Sequence, residues 1–249
     1  MMELLEKILE TRMMETDSSG NMTAINSDTP KGQGLFLQRI YDMIKPEKSL
    51  EVGLAFGIST LFILEKCKEY DRTEKCHIVI EPFDWGNAAV YNIQKEGLEK
   101  YIDIRKDLSD RVLPNMYLNK ERIQFAYIDT TKVFDTVLLD FYFIDKILDV
   151  GGVVIFDDAS MGGIKLVIRF INSLPHYKIL DKYGKVTHSK KHIAAENVFV
   201  KLIQMIPFKK RFMPYYSFKI SRKLGLDYRC IAFKKIKNDE RQWNWEKPF

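Results

Sequence analysis

The sequence has little cysteine: three in 249 residues, Cys67, Cys76 and Cys230, with no C-x-x-C pair. So odd and unpatterned a set excludes a disulfide framework and a zinc module, and it predicts reduced, ordinary buried thiols. No apolar run reaches the roughly 18 residues that a membrane-spanning helix requires. The opening, Met1 to Glu6, carries acid where a secretory signal carries base, so the chain is expected to be cytoplasmic. Internal repeats and low-complexity tracts are absent. So is the G-x-G-x-x-G fingerprint: Ala55 stands where its second glycine belongs, which leaves a poor cradle for a pyrophosphate and argues against a nicotinamide cofactor.

What is present is a core-forming composition, 46% hydrophobic, 12% aromatic and 29% charged. A chain of this length and make-up buries a large core without staples. The net charge of +5 is unevenly spread. Residues 1–177 hold 21 basic against 28 acidic side chains, residues 178–237 hold 16 against 3, and residues 238–249 hold 2 against 3. An acidic body therefore joins a strongly basic late segment.

Along the body, apolar strands alternate with amphipathic helices. A helix is expected over 3–14, a loop over 16–33, and a helix from Leu35 to Ile44 closed by Lys45-Pro46. Strands follow at 49–52, 77–81, 101–105, 123–129 and 153–156. Helices are expected at 59–67, 87–96, from Ser109 through Pro114, at 134–148 with Gly151-Gly152 as its stop, and at 164–174. The helix at 134–148 has the clearest stripe: Phe134, Val137, Leu138, Phe141, Ile144, Ile147 and Leu148. Two more strands, 176–180 and 229–235, complete seven. The fold class predicted is α/β, a doubly wound Rossmann-like sheet, mostly parallel, with an antiparallel last strand. Its expected divisions are an N-terminal cap (1–46), the core (47–180), a basic insertion (181–228) and a last strand with tail (229–249).

In such sheets ligands sit beyond the carboxyl ends of the strands. The first core strand ends Glu51-Val52-Gly53-Leu54-Ala55-Phe56-Gly57-Ile58-Ser59. Gly53 and Gly57 permit a tight turn and close approach to the backbone, and Ser59 opens a helix whose free N–H groups can receive a carboxylate. Glu81, at the end of the second core strand, is placed to accept ribose hydroxyls. A nucleoside with an amino-acid tail suits this arrangement better than a dinucleotide does.

The stretch from Leu50 to about Ile171 resembles class I S-adenosylmethionine-dependent methyltransferases, and among them the bacterial branch that includes sugar and macrolide O-methyltransferases. The matching pieces are Glu51-x-Gly53-x-x-x-Gly57-x-Ser59, Ile80-Glu81-Pro82-Phe83, Asp107-Leu108-Ser109, Ile128-Asp129 through Phe134-Asp135, and Gly151-Gly152 through Asp157-Asp158. The resemblance implies that Gly53 and Ser59 meet the methionine tail, Glu81 the ribose, and Asp107, Leu108 and Ser109 the adenine edge. It implies an oxygen acceptor that is a small molecule, sugar-derived or lipid-linked. It also implies a divalent ion, Mg²⁺ by ligand chemistry, on Asp129, Asp157 and Asp158, which lowers the acceptor hydroxyl's pKa. Asp157 and Asp158 converge only if the chain leaves the strand between them.

The chain departs from that pattern where many relatives carry Gly, an aromatic and His after the strand-four Asp. Here the residues are Thr130-Thr131-Lys132. An unperturbed lysine is protonated at neutral pH and cannot accept a proton. Lys132 can attract an anionic acceptor or occupy the metal's place with its own charge, and Asp135 is a substitute base. A non-catalytic protein that keeps the fold and the cofactor is the alternative reading.

Of the histidines, His77 belongs to a strand start, far from any site, and His188 and His192 to a basic loop. Residues 197–224 interleave aromatic and aliphatic side chains with Lys and Arg. This pattern suits acceptor recognition, or peripheral contact with the inner face of a membrane through 185–228, or simple packing on the body. No nucleic-acid module is recognisable, so nucleic acid is the disfavoured partner. The oligomeric state, a homo-oligomer included, stays open.

Overall fold

The computed structural model describes residues 1–26, 29–83, 87–187, 198 and 223–247. The expectations for His188, His192 and nearly all of the basic stretch fall outside them. Among the described residues no helix is long and apolar enough to cross a membrane.

The elements in chain order are α1 (Glu3–Thr11), β1 (Met13–Glu15), β2 (Met22–Ala24), α2 (Lys31–Ile44), β3 (Ser49–Val52), α3 (Ile58–Glu69), β4 (His77–Ile80), α4 (Ala88–Lys95), β5 (Ile102–Arg105) and α5 (Ser109–Leu118). They continue with β6 (Ile123–Ile128), α6 (Phe134–Ile147), β7 (Leu148–Phe156), α7 (Gly162–Ser173), β8 (Tyr177–Lys185) and β9 (Tyr228–Lys235). Seven strands form one sheet in the order β5-β4-β3-β6-β7-β9-β8, and β1 pairs with β2 in a separate hairpin. β5, β4, β3, β6 and β7 are parallel, whereas β9 runs antiparallel to both β7 and β8. The sheet is thus α/β, doubly wound and mostly parallel, as predicted.

The strands bury both faces, and their period of two sorts the core. Leu50, Val52, Ile78, Ile80, Ala126, Ile128, Val154 and Phe156 meet α5, α6 and α7. Phe125, Tyr127, Val153 and Ile155, from the opposite face, meet α1, α2, α3 and α4. The N-terminal helices therefore share the core of the sheet. Gly34 shows how closely α2 packs on α3: a Cβ there would lie 2.1 Å from the Phe62 ring.

Four expectations are corrected. The N-terminal helix stops at Thr11, because Arg12 adopts a left-handed conformation (φ 59°) and the chain turns into the hairpin. Helix α2 starts at Lys31, four residues before Leu35, because Pro30 caps it and Gly34 gives it the contact with Phe62. Gly151-Gly152 do not end a helix. α6 stops at Ile147, and β7 runs through both glycines from Leu148. Gly152 lies where a Cβ would be 2.9 Å from the Gln124 carbonyl, so cross-strand packing and not helix termination selects it. Strand β8, expected over 176–180, runs from Tyr177 to Lys185.

The register positions the site. Val52 is level with Ile80 on one side and Ile128 on the other, and Ile128 is level with Phe156. The next residue of each strand, Glu81, Gly53, Asp129 and Asp157, therefore forms a row across the carboxyl edge. Backbone bonds from Gly53 N–H to Ile80 C=O (2.9 Å), Asp129 N–H to Val52 C=O (3.0 Å) and Asp157 N–H to Ile128 C=O (3.1 Å) hold the row level. The order of the sheet reverses between β3 and β6, and this switch point is where such folds bind ligands.

Candidate active site

Beyond the switch point lies a cavity of about 360 Å³, within the usual range for small-molecule sites. Gly53, Ala55, Glu81, Phe83, Leu108 and Ser109 line one part of it, and Asp129, Thr130, Thr131, Lys132 and Thr136 another. Gly53 has φ +102°, and a Cβ there would stand 2.1 Å from the Asp129 carbonyl oxygen. Only glycine lets β3 turn this close to β6. Gly57, also left-handed at φ +72°, starts α3 against Ala89.

The Glu81 carboxylate is buried and braces the turn. Oε2 accepts from the Leu54 N–H (2.9 Å) and the Ala55 N–H (3.2 Å), and Oε1 accepts from the Phe83 N–H (2.9 Å). A carboxylate offers about four lone-pair sites, so capacity remains for a ligand hydroxyl. Phe83 and Leu108 are exposed at the cavity wall, 62% and 42% respectively. Two apolar side chains presented in this way suit the faces of a planar base.

Behind the turn, Glu51 is fully buried. It accepts from Ser59 Oγ, from Thr60 Oγ1 (2.7 Å) and from His77 Nε2 (3.1 Å). His77 Nδ1 in turn meets Ser49 Oγ at 2.9 Å. This network fixes the start of α3 from inside the core.

On the other side of the switch point, Lys132 Nζ bonds Asp129 Oδ1 at 2.6 Å and pairs with Asp158 Oδ2 at 3.1 Å. Burial and then the Asp157 charge push the Asp129 carboxyl up to about 6, against the opposing pull of Lys132. Burial works against the Lys132 charge, but Asp129 and Asp158 outweigh it and raise its pKa. Asp158 reaches this group because it takes a left-handed conformation (φ 47°), which turns the chain out of the strand after Asp157. Asp157, buried at 4% exposure, accepts from Cys230 Sγ (3.1 Å) and faces Arg229 Nε at 3.7 Å. Below them, the buried Tyr127 hydroxyl accepts from Gln33 Nε2 at 2.7 Å. Its pKa is raised by burial and by the Asp129 and Asp157 charges.

Residues 50–159 match the family model described as a methyltransferase domain. That stretch runs from the glycine turn to just past Asp157 and Asp158, so it holds most of the cavity's lining. No relative is found among curated proteins. Among solved structures, an O-methyltransferase from Bacillus cereus in complex with SAH is 18% identical, with a TM-score of 0.61 over 95% of this chain and 92% of that one. The O-methyltransferase TomG from Streptomyces achromogenes, involved in tomaymycin synthesis and solved with SAM, is 12% identical, with a TM-score of 0.60 over 95% and 91%. At these identities the likeness is one of fold.

The residues singled out from the sequence fall into three groups. Gly53, Glu81, Leu108, Ser109, Asp129 and Lys132 come together around the cavity. Gly57 and Ser59 line a smaller recess beside it with Gly53 and Asp129, and the Ser59 hydroxyl is already engaged by Glu51. Glu51, Asp107 and Asp135 are not brought to the cavity. Glu51 supports the turn from behind, Asp107 accepts from the Leu108 N–H and pairs with Arg111, and the exposed Asp135 accepts from the Thr136 N–H. Sequence reasoning missed Arg229 and Cys230. Phe156 is level with Ile231, so Asp157 is level with Cys230, a pairing between segments more than 70 residues apart that no local pattern announces.

The divalent ion that the resemblance implies would have to share these carboxylates with Lys132 and Arg229. Asp129, Asp157 and Asp158 each offer an oxygen within 4.8 Å of the others, a spacing a hard cation can use. Two of the three oxygens' side chains are already bonded by the Lys132 ammonium, and the third faces the Arg229 guanidinium. A divalent ion on the same oxygens would sit a few ångströms from a held ammonium, at a large electrostatic cost. With Lys132 in place, the residues do not fit the metal.

Proposed function

We propose that the chain is an S-adenosylmethionine-dependent O-methyltransferase acting on a small-molecule acceptor. The observation that carries this reading is the single cavity in which the glycine turn and Glu81 meet Asp129 and Lys132 across the switch point. The Gly53–Gly57 turn and the N-terminus of α3 suit the methionine carboxylate, Glu81 the ribose hydroxyls, and Phe83, Leu108 and Ser109 the base. S-adenosylmethionine supplies an electrophilic methyl group whose bonding pair returns to sulfur on transfer. The protein's part is to hold the acceptor oxygen in line and to take its proton. Asp129, raised to about 6, is ionised and basic enough to do so near neutral pH. Lys132, beside it, stabilises negative charge on the acceptor oxygen.

The basic segment supports acceptor recognition. Lys185 pairs with Tyr228 beyond the level of Phe156 and Ile231, so the chain leaves β8 and returns to β9 on the cavity's side of the sheet. A sugar-derived or lipid-linked acceptor carrying negative charge suits the excess of Lys and Arg between them. Peripheral membrane contact through 185–228 is tested by liposome flotation of the chain with and without that segment, and equal flotation sinks it.

The cofactor reading is tested by thermal unfolding. At a hundred times its dissociation constant, S-adenosylhomocysteine adds about 2.7 kcal/mol, or a rise in Tm of about 5–11 °C for a chain of this size. NAD at the same concentration gives no shift. The reverse pattern overturns the proposal in favour of a nicotinamide enzyme.

A further inference from the structure

We propose that the Lys132 ammonium is the resident cation of this site. It takes the place that a divalent ion would need on Asp129 and Asp158, so the chain works without metal and recognises a single acceptor oxygen rather than a chelating pair. The proposal rests on the methyltransferase reading for its chemistry, but not for its geometry.

Three observations carry it. Lys132 Nζ lies 2.6 Å from Asp129 Oδ1 and 3.1 Å from Asp158 Oδ2, so one ammonium already bridges two of the three candidate metal ligands. The third, Asp157, points its oxygen at the Cys230 thiol (3.1 Å) and the Arg229 guanidinium (3.7 Å). Two side-chain cations therefore face the three carboxylates. Finally, the segment that presents Lys132 is packed in place: a Cβ on Gly163, at the start of α7, would stand 2.6 Å from the Lys132 carbonyl oxygen. The lysine is held over the acids by a helix start built to admit its backbone.

The substitution has a chemical consequence. A divalent ion accepts two oxygens of a vicinal diol or catechol at once and lowers the pKa of both. An ammonium has three donors and one charge, of which two donors are engaged by Asp129 and Asp158. One remains for one acceptor oxygen. In the transfer that oxygen forms the new bond to carbon, its proton passes to an Asp129 oxygen, and the pair of the broken carbon–sulfur bond stays on sulfur. The acceptor class that fits presents one hydroxyl to the ammonium, with no advantage from a neighbouring hydroxyl.

The test is Mn²⁺ binding to the full chain, read by loss of the free-ion electron paramagnetic resonance signal. The wild type should leave about 1 mM Mn²⁺ free and keep its Tm in EDTA, because its ligands are occupied. Lys132→Ala should bind Mn²⁺ at least about tenfold more tightly, and adding Asp158→Asn should abolish that gain. Lys132→Gln, which removes the charge but keeps most of the bulk, should show the same gain and serves as the readout if Lys132→Ala does not fold, whereas Lys132→Arg, which keeps the charge, should bind as weakly as the wild type. Tight Mn²⁺ binding by the wild type overturns the proposal. So does the absence of any gain in folded Lys132→Ala, since the lysine would then not be what excludes the ion. S-adenosylhomocysteine affinity, measured alongside by calorimetry, fails only if the methyltransferase reading fails.

Discussion

The sharpest test of the site's construction is a pair of glycine substitutions with matched backbones. Gly53 has φ +102° and Gly151 has φ +94°, so alanine meets a comparable backbone penalty at each, about 1–2 kcal/mol. The surroundings differ. At Gly151 a Cβ finds nothing within 4 Å, whereas at Gly53 it lies 2.1 Å from the Asp129 carbonyl oxygen. That oxygen belongs to backbone just past the end of a central strand, so the clash is relieved only by moving β3 against β6. Overpacking of this kind adds about 1–3 kcal/mol. Gly53→Ala should therefore cost about 2–5 kcal/mol and Gly151→Ala about 1–2 kcal/mol in urea unfolding. Because the displaced atom carries the Asp129 side chain with it, Gly53→Ala should also weaken S-adenosylhomocysteine binding by more than about tenfold, a loss of about 1.4 kcal/mol, while Gly151→Ala leaves it unchanged. Equal destabilisation by the two substitutions would refute the account of why glycine stands at the turn.

Other expectations follow from buried charge. Asp140 is 1% exposed, and burial pushes its carboxyl up to about 6, opposed by the Ser109 hydroxyl and helped by the Asp110 charge. A raised acid favours the native state below its unfolded pKa near 3.8, and that support is lost as pH rises to about 6. Asp140→Asn should thus be more stable than the wild type at pH 8, by up to about 3 kcal/mol, and nearly equal at pH 4; a difference independent of pH refutes this. The buried pair Lys165–Asp227, at 2.7 Å, ties α7 to the start of β9. Lys165→Met should cost about 3–5 kcal/mol in urea unfolding, largely recovered by adding Asp227→Leu, and a neutral single substitution counts against it. Methyl transfer, once an acceptor is in hand, should fall below about pH 6 as Asp129 takes a proton, and Asp129→Asn should remove that limb of the profile along with most of the rate.

The sheet was legible because its strands are nearly continuous apolar runs and its helices carry stripes, both of which are local signals. The glycine turn, Glu81, Asp129, Asp157 and Asp158 were legible for the same reason: each stands just past a strand, where chain order alone predicts a ligand-facing edge. What could not be read was set by contacts between distant segments. The strand character of Gly151-Gly152 comes from packing on Gln124, and the neighbourhood of Asp157 comes from β9. Glu51 reads as a cofactor contact from the motif, yet its three partners, Ser59, Thr60 and His77, hold it behind the turn. Asp135 reads as a base from its spacing, but its first-turn position on α6 turns it toward the Thr136 N–H and solvent.

The level row at the carboxyl edge bears on how any preparation of this protein should be measured. Glu81, Gly53, Asp129 and Asp157 each owe their place to the same hydrogen-bonded alignment, and a slip of one residue in any of the four strands would remove the glycine from the turn or send a carboxylate to the opposite face of the sheet. A molecule paired one step out of register keeps its composition and much of its helix content, but it has no site. On the proposed reading, the stoichiometry of S-adenosylhomocysteine binding is therefore a count of correctly threaded molecules, and it grades a sample by its hydrogen-bond alignment in a way that circular dichroism and gel filtration do not.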